Sequence, residues 1–251
     1  MDMLTILVFC CAVVLGSYVQ AATGFAMGLV VLAIVAGSRS VDIVTITVVI
    51  SLLALLNVAF ALRGQTAHVE RRCWLLLCAG QLPAIWVGLT LLEILAQGAV
   101  RLLELILGAF VIAGSLSMLL RPEAQRQLSP AWAWVAGGAA GGVLGGLFSA
   151  SGPVMGWFAY RQPLAAEAVR ATLLACFAVT TTTRTALVAV DGGLTRDVWA
   201  FVALAVPLVL LGTWAGRRFR PQSDAGLRRS AFVLLLLIGL WIFFRSVRSL
   251  S

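Results

Sequence analysis

Eight apolar runs occupy most of the chain, at about 4–36, 41–61, 73–92, 102–120, 131–160, 171–190, 198–215 and 230–244. Most have the roughly 20 residues that carry a helix across a bilayer. No water inside lipid can satisfy an open backbone, so each run is held to helix, or to irregular backbone buried in protein. Of the 251 residues, 61% are hydrophobic and 11% charged, which excludes a soluble domain and predicts an all-α polytopic membrane protein. The first run lacks a basic leader and cleavage site, and is expected to belong to the mature protein.

Two runs are too long for one upright crossing. The first has about 33 residues, or roughly 50 Å of straight helix, against a hydrocarbon core of about 30 Å. The fifth is nearly as long. These two carry related octets, "AATGFAMG" at Ala21–Gly28 and "SASGPVMG" at Ser149–Gly156. In a 128-residue register Ala22 matches Ala150, Thr23 matches Ser151, and Gly24, Met27 and Gly28 match Gly152, Met155 and Gly156. The register continues without a gap through Asn57/Thr185, Gly64/Gly192, Trp86/Trp214, Gly88/Gly216 and Arg101/Arg229. The chain therefore reads as one transmembrane domain, 1–251, built from repeats of four segments at about 1–120 and 131–251. Residues 121–130 form the polar linker.

All 18 basic residues are arginine, and their placement tests the topology. With Arg184 set aside because it lies inside a run, if all eight runs cross, the loops on the two faces carry 8 and 9 Arg, and neither orientation is favoured. If the first and fifth runs fold back as hairpins, the split is 5 against 12. The positive-inside rule then puts both termini outside, and three crossings per repeat make the repeats inverted. A broken helix that still crosses is the rival arrangement. The same arginines lie mostly between apolar segments, so lipid headgroups and not nucleic acid are their expected partners.

Glycines and Pro153 interrupt a helix, and unsatisfied backbone at membrane depth is tolerated only in protein or beside a cavity. Two breaks at matching positions point to a site near the bilayer midplane. The helix N-terminus after each break suits an anion. Gln20, Thr23, Ser149 and Ser151 can add donors around Gly24, Phe25, Gly152 and Pro153. Close packing alone is the competing explanation, and it suffices for the glycines at 137, 138, 141, 142, 145 and 146. Arg184 follows four threonines that include Thr181. It either grips an oxyanion with them or reaches the interface near Asp191. Asn57 and Gln81 are further polar residues inside runs. Trp132, Trp134, Trp199 and Trp241 fit an interfacial belt. The five Cys read as small buried thiols, with no metal-ligand spacing.

The octet segments "QAATGFAMG" and "GGLFSASGP", with Asn57, the stretch "VRATLLACF" and the small-residue third and seventh runs, resemble the TauE/SafE sulfite exporter family. The resemblance covers nearly the whole chain. It departs at Gln20–Ala22, where many members carry more glycine. It implies a transporter of sulfur-containing anions such as sulfite, sulfonates and sulfoacetate-like compounds, or of other small organic acids.

An intramembrane serine hydrolase is excluded because the only histidine, His68, lies in a loop far from "SASG". An anion channel is the remaining alternative, since paired helix breaks also build filters. The expected function is a secondary transporter in a bacterial inner membrane, with a midplane site formed by Gln20, Thr23, Gly24, Phe25, Asn57, Ser149, Ser151, Gly152, Pro153, Thr181 and Arg184. Its expected partners are a small anion and the lipid bilayer. No cofactor or metal is expected, and homodimerisation is left open.

Overall fold

A computed structural model describes residues 3–23, 26–38, 41–119, 125–218 and 225–248, and every long element among them is helical. In chain order these are α1 (Met3–Thr23), α2 (Met27–Ser38), α3 (Ile43–Ala61), α4 (Arg71–Gly98), α5 (Val100–Leu119), α6 (Ala131–Phe148), α7 (Gly152–Tyr160), α8 (Ala166–Val190), α9 (Arg196–Arg218) and α10 (Ala225–Arg248). A single 3₁₀ turn, Thr66–His68, lies between α3 and α4. Among the described residues, α3, α4, α5, α6, α8 and α9 each contain a stretch long and apolar enough to span a membrane. The protein is a multi-pass membrane protein.

Both octets end a helix and turn the chain back on itself. A Cβ on Gly16 of α1 would lie 3.1 Å from Val31 Cγ2 of α2. A straight helix would hold those residues about 22 Å apart. In the second octet, a Cβ on Gly137 would lie 3.3 Å from the Phe158 ring, and Gly141 meets Met155. The continuous broken helix is thereby ruled out in favour of two helical hairpins. Their arms are unequal: α1 and α2 have 21 and 12 residues, and α6 and α7 have 18 and 9. The reason is visible in the sequence, because each octet sits two-thirds of the way along its run. At the breaks the left-handed backbone falls on Ala26 (φ 90°) and Ser149 (φ 54°). Neither is a glycine, so each turn holds backbone that an L-residue adopts at a cost.

Small residues set the helix pairing. Gly138, Gly142 and Gly146 recur every four residues along α6 and sit against the backbone carbonyls of Leu77, Gln81 and Ile85 of α4. Gly212 and Gly216 of α9 meet the carbonyls of Val14 and Tyr18 of α1 in the same way. Both pairs run parallel, and a side chain at these positions would push the helices apart. By contrast, α5 and α10 are antiparallel, with Gly108 on Phe243 and Gly239 on Val111. The close-packing role expected of the α6 glycines is what these contacts show.

Polar residues inside the bundle tie helices together. Asn57 Nδ2 donates to Ser17 O (3.1 Å) and to Thr213 Oγ1 (2.7 Å), joining α3 to α1 and α9. The N-cap Asp42 starts α3 by accepting from Thr45 N–H at 2.8 Å. Trp132, Trp199 and Trp241 are exposed, as the belt requires, but Trp134 is buried edge-on against Phe158. Of the thiols, Cys73, Cys78 and Cys176 are buried, whereas Cys10 is half-buried and Cys11 faces outward.

Candidate functional site

The two hairpin tips meet. Gly28, in the first turn of α2, abuts the carbonyl oxygen of Ser149 and lies where a Cβ would be 3.1 Å from the Ala150 methyl. Beside this contact is a cavity of about 20 Å³. The first hairpin contributes Gln20, Ala26, Gly28 and Leu29 to its wall, and the second contributes Ser149 through Pro153. Ala54 of α3 and Phe177, Thr180 and Thr181 of α8 complete the lining. Its volume suits a water-sized occupant.

The lining is polar in a specific way. Gln20 is 3% exposed; its Oε1 accepts from Met27 N–H at 3.1 Å and so caps α2, while its Nε2 has no partner. A buried amide donor left open is costly unless a guest satisfies it. Ser151 is equally buried. It occupies the N-cap of α7 without its side chain capping the helix, and Pro153 in the first turn brings no N–H of its own. The threonine hydroxyls differ. Thr181 Oγ1 donates to Phe177 O (2.7 Å) and Thr180 Oγ1 to Cys176 O (3.0 Å), so their protons are already spent. Gln81 Nε2 donates to Thr180 Oγ1 and to Cys176 O (3.0 Å), holding α8 to α4 behind the cavity wall.

Arg184 lies behind the wall and not on it. It is fully buried, which removes the reading in which it reaches the interface. Its Nε donates to Gly146 O at 2.9 Å. Nη1 donates to Thr47 O (2.8 Å) and Ser51 Oγ (2.6 Å), and Nη2 to Thr47 Oγ1 (3.0 Å). Ser51 Oγ in turn lies 2.8 Å from Ser149 Oγ. One guanidinium thus locks α8, α3 and the end of α6 beside the second hairpin tip.

Of the residues expected at the site, Gln20, Ser149, Ser151, Gly152, Pro153 and Thr181 come together around the cavity. Arg184 reaches it through Ser51. Asn57 does not line it; its Nδ2 cross-links helices while its Oδ1 is buried without a partner among the described residues. Gly24, Phe25 and the Thr23 side chain lie outside the described residues. Sequence reasoning missed Thr47 and Ser51. Their i, i+4 spacing in a run otherwise dominated by Val, Ile and Leu was the available signal, since it puts two hydroxyls on one helix face.

The sulfite exporter TauE/SafE family model matches residues 8–242. A protein of Cupriavidus necator named "Probable sulfite/organosulfonate exporter TauE" is 39% identical over 225 residues, covering 89% of this chain and 88% of that protein. No solved structure matches. The family consists of exporters and not enzymes, and the match runs through both hairpins and all the residues around the cavity. The chain belongs to the sulfite exporter TauE/SafE family.

Proposed function

We propose that the protein is a secondary transporter that moves a small sulfur oxyanion or organosulfonate, such as sulfite or a sulfoacetate-like compound, through the cavity between the hairpin tips. One observation carries this reading. Two breaks 128 residues apart in sequence share one cavity, and that cavity holds a buried donor without a partner among the described residues, Gln20 Nε2, with Ser151 on the same wall leaving α7 uncapped. Open donors in a polar pocket suit an acceptor-only guest such as an oxyanion.

The carrier is formed by inverted repeats at about 1–120 and 131–251. Several observations support this. Adding 128 to the first residues of α1, α3, α4 and α5 lands within five residues of the starts of α6, α8, α9 and α10. Gly64 and Gly192, matched in that register, both have positive φ in the turns after α3 and α8. Gly88 and Gly216, also matched, each seat a helix on the first helix of the other repeat. The parallel pairing of α4 with α6 and of α1 with α9 is what a two-fold in the membrane plane requires. Both termini are then periplasmic in an inner membrane, with the arginine-rich loops in the cytoplasm.

A cavity of this size admits an oxyanion only when the hairpin tips part, so passage requires those tips to separate. The named function of the Cupriavidus necator relative favours export. Flux in proteoliposomes tests the reading, with sulfite, sulfate, sulfoacetate, taurine and a carboxylate control, and with membrane potential and pH gradient set separately. Saturable flux of a sulfur anion is expected. Non-saturating conductance would indicate a channel, and movement of the carboxylate alone would replace the substrate class.

A further inference from the structure

We propose that Arg184 is the buried counter-cation of the anion site and acts on the bound anion through Ser51 and Ser149, without touching it. The inference rests on the transport reading above and adds the group that selects for negative charge. The guanidinium is fully buried, and every hydrogen bond it makes ends on a neutral oxygen: Gly146 O, Thr47 O, Thr47 Oγ1 and Ser51 Oγ. Among the described residues no carboxylate pairs with it; the ion pairs there include His68 with Glu167 and Arg245 with Glu104. An arginine keeps its proton, so the bundle holds a charge that no carboxylate among the described residues compensates. Such a charge is expensive, and it is retained where a ligand supplies the opposite sign.

The connection to the cavity is a chain of two hydroxyls. Arg184 Nη1 donates to Ser51 Oγ at 2.6 Å, and Ser51 Oγ lies 2.8 Å from Ser149 Oγ, which lines the cavity. With the Ser51 proton on Thr47 O (3.0 Å), Ser149 is the donor in its hydrogen bond to Ser51. When an anion arrives, the Ser149 proton turns onto it and the Ser51 proton turns onto Ser149. Arg184 holds a Ser51 lone pair throughout, so no atom gains or loses a proton. Each donor polarises the next, and the anion receives a strengthened hydrogen bond at the cavity wall. Selection then follows the charge of the guest more than its shape.

The test uses full-length Ser151→Cys protein in proteoliposomes. Two thiol reagents are applied, the anionic sulfonatoethyl methanethiosulfonate and the cationic trimethylammonioethyl methanethiosulfonate. Labelling at residue 151 is read by peptide mass spectrometry, and each rate is normalised to that with a small free thiol. The anionic reagent is expected to be favoured, by a ratio that falls about tenfold in Arg184→Gln and is retained in Arg184→Lys. In the Ser151 protein, Ser51→Ala is expected to weaken sulfite binding about tenfold. An unchanged ratio in Arg184→Gln overturns the counter-cation. Unchanged sulfite affinity in Ser51→Ala overturns the hydroxyl chain. If Arg184→Gln does not fold, a normalised ratio at or below one in the Arg184 protein overturns the proposal instead. If neither reagent labels the thiol introduced at position 151, the cavity does not open to an organosulfonate-sized anion, and the transport reading itself falls.

Discussion

Gly28 rests against the carbonyl oxygen of Ser149, although 121 residues separate them. This contact joins the two hairpin tips and closes one side of the cavity. It requires a residue without a side chain. Gly28→Ala is expected to force the tips apart, at a cost of about 1–3 kcal/mol for overpacking. A lowered melting temperature in detergent and reduced sulfite flux are the outcomes to look for. Gly98→Ala is the matched control, because a Cβ there meets nothing within 4 Å.

Ser151 lines the cavity, and its side chain does not cap α7. Its removal should therefore leave folding intact and weaken the anion. Ser151→Ala is expected to raise the sulfite Kd about 10- to 100-fold, the range for a hydrogen bond to a charged group. Titration calorimetry on the purified protein measures this. An unchanged Kd removes Ser151 from the site.

Asn57 should behave in the opposite way. Its amide joins α3 to Ser17 O and Thr213 Oγ1, away from the cavity. Asn57→Ala strands those acceptors and is expected to cost about 1–3 kcal/mol of stability. The folded fraction should bind sulfite as the parent does. A large change in Kd without loss of melting temperature would return Asn57 to the site.

The orientation can be read from two loops. Ala67 lies in the arginine-rich loop after α3, and Thr195 in the matching loop after α8. In inverted repeats those loops face opposite sides of the membrane. Ala67→Cys should react with an impermeant maleimide only after the cells are opened, and Thr195→Cys should react in intact cells. The reverse pattern would invert the topology, and labelling of both from one side would break the inverted-repeat reading.

The apolar runs, read alone, determined the membrane class, the helical content and the positions of both chain breaks. Those properties follow from local rules: lipid demands internally paired backbone, and small, polar, glycine-rich octets interrupt helix wherever they fall. The serines and Gln20 of the site were legible for the same reason, because they sit in or beside the octets. Tertiary structure decided what no local rule reaches. That each break is a hairpin depends on Gly16 meeting Val31, and on Gly141 meeting Met155. That Arg184 is buried instead of interfacial depends on Thr47 and Ser51, which lie 137 and 133 residues away in sequence. Asn57 looked like a site residue because a buried amide in an apolar run needs partners. Only the packing of α1 and α9 against α3 shows that protein groups take up its Nδ2 donor. A buried polar side chain advertises unmet hydrogen bonds in the sequence, and the fold determines whether protein or ligand meets them.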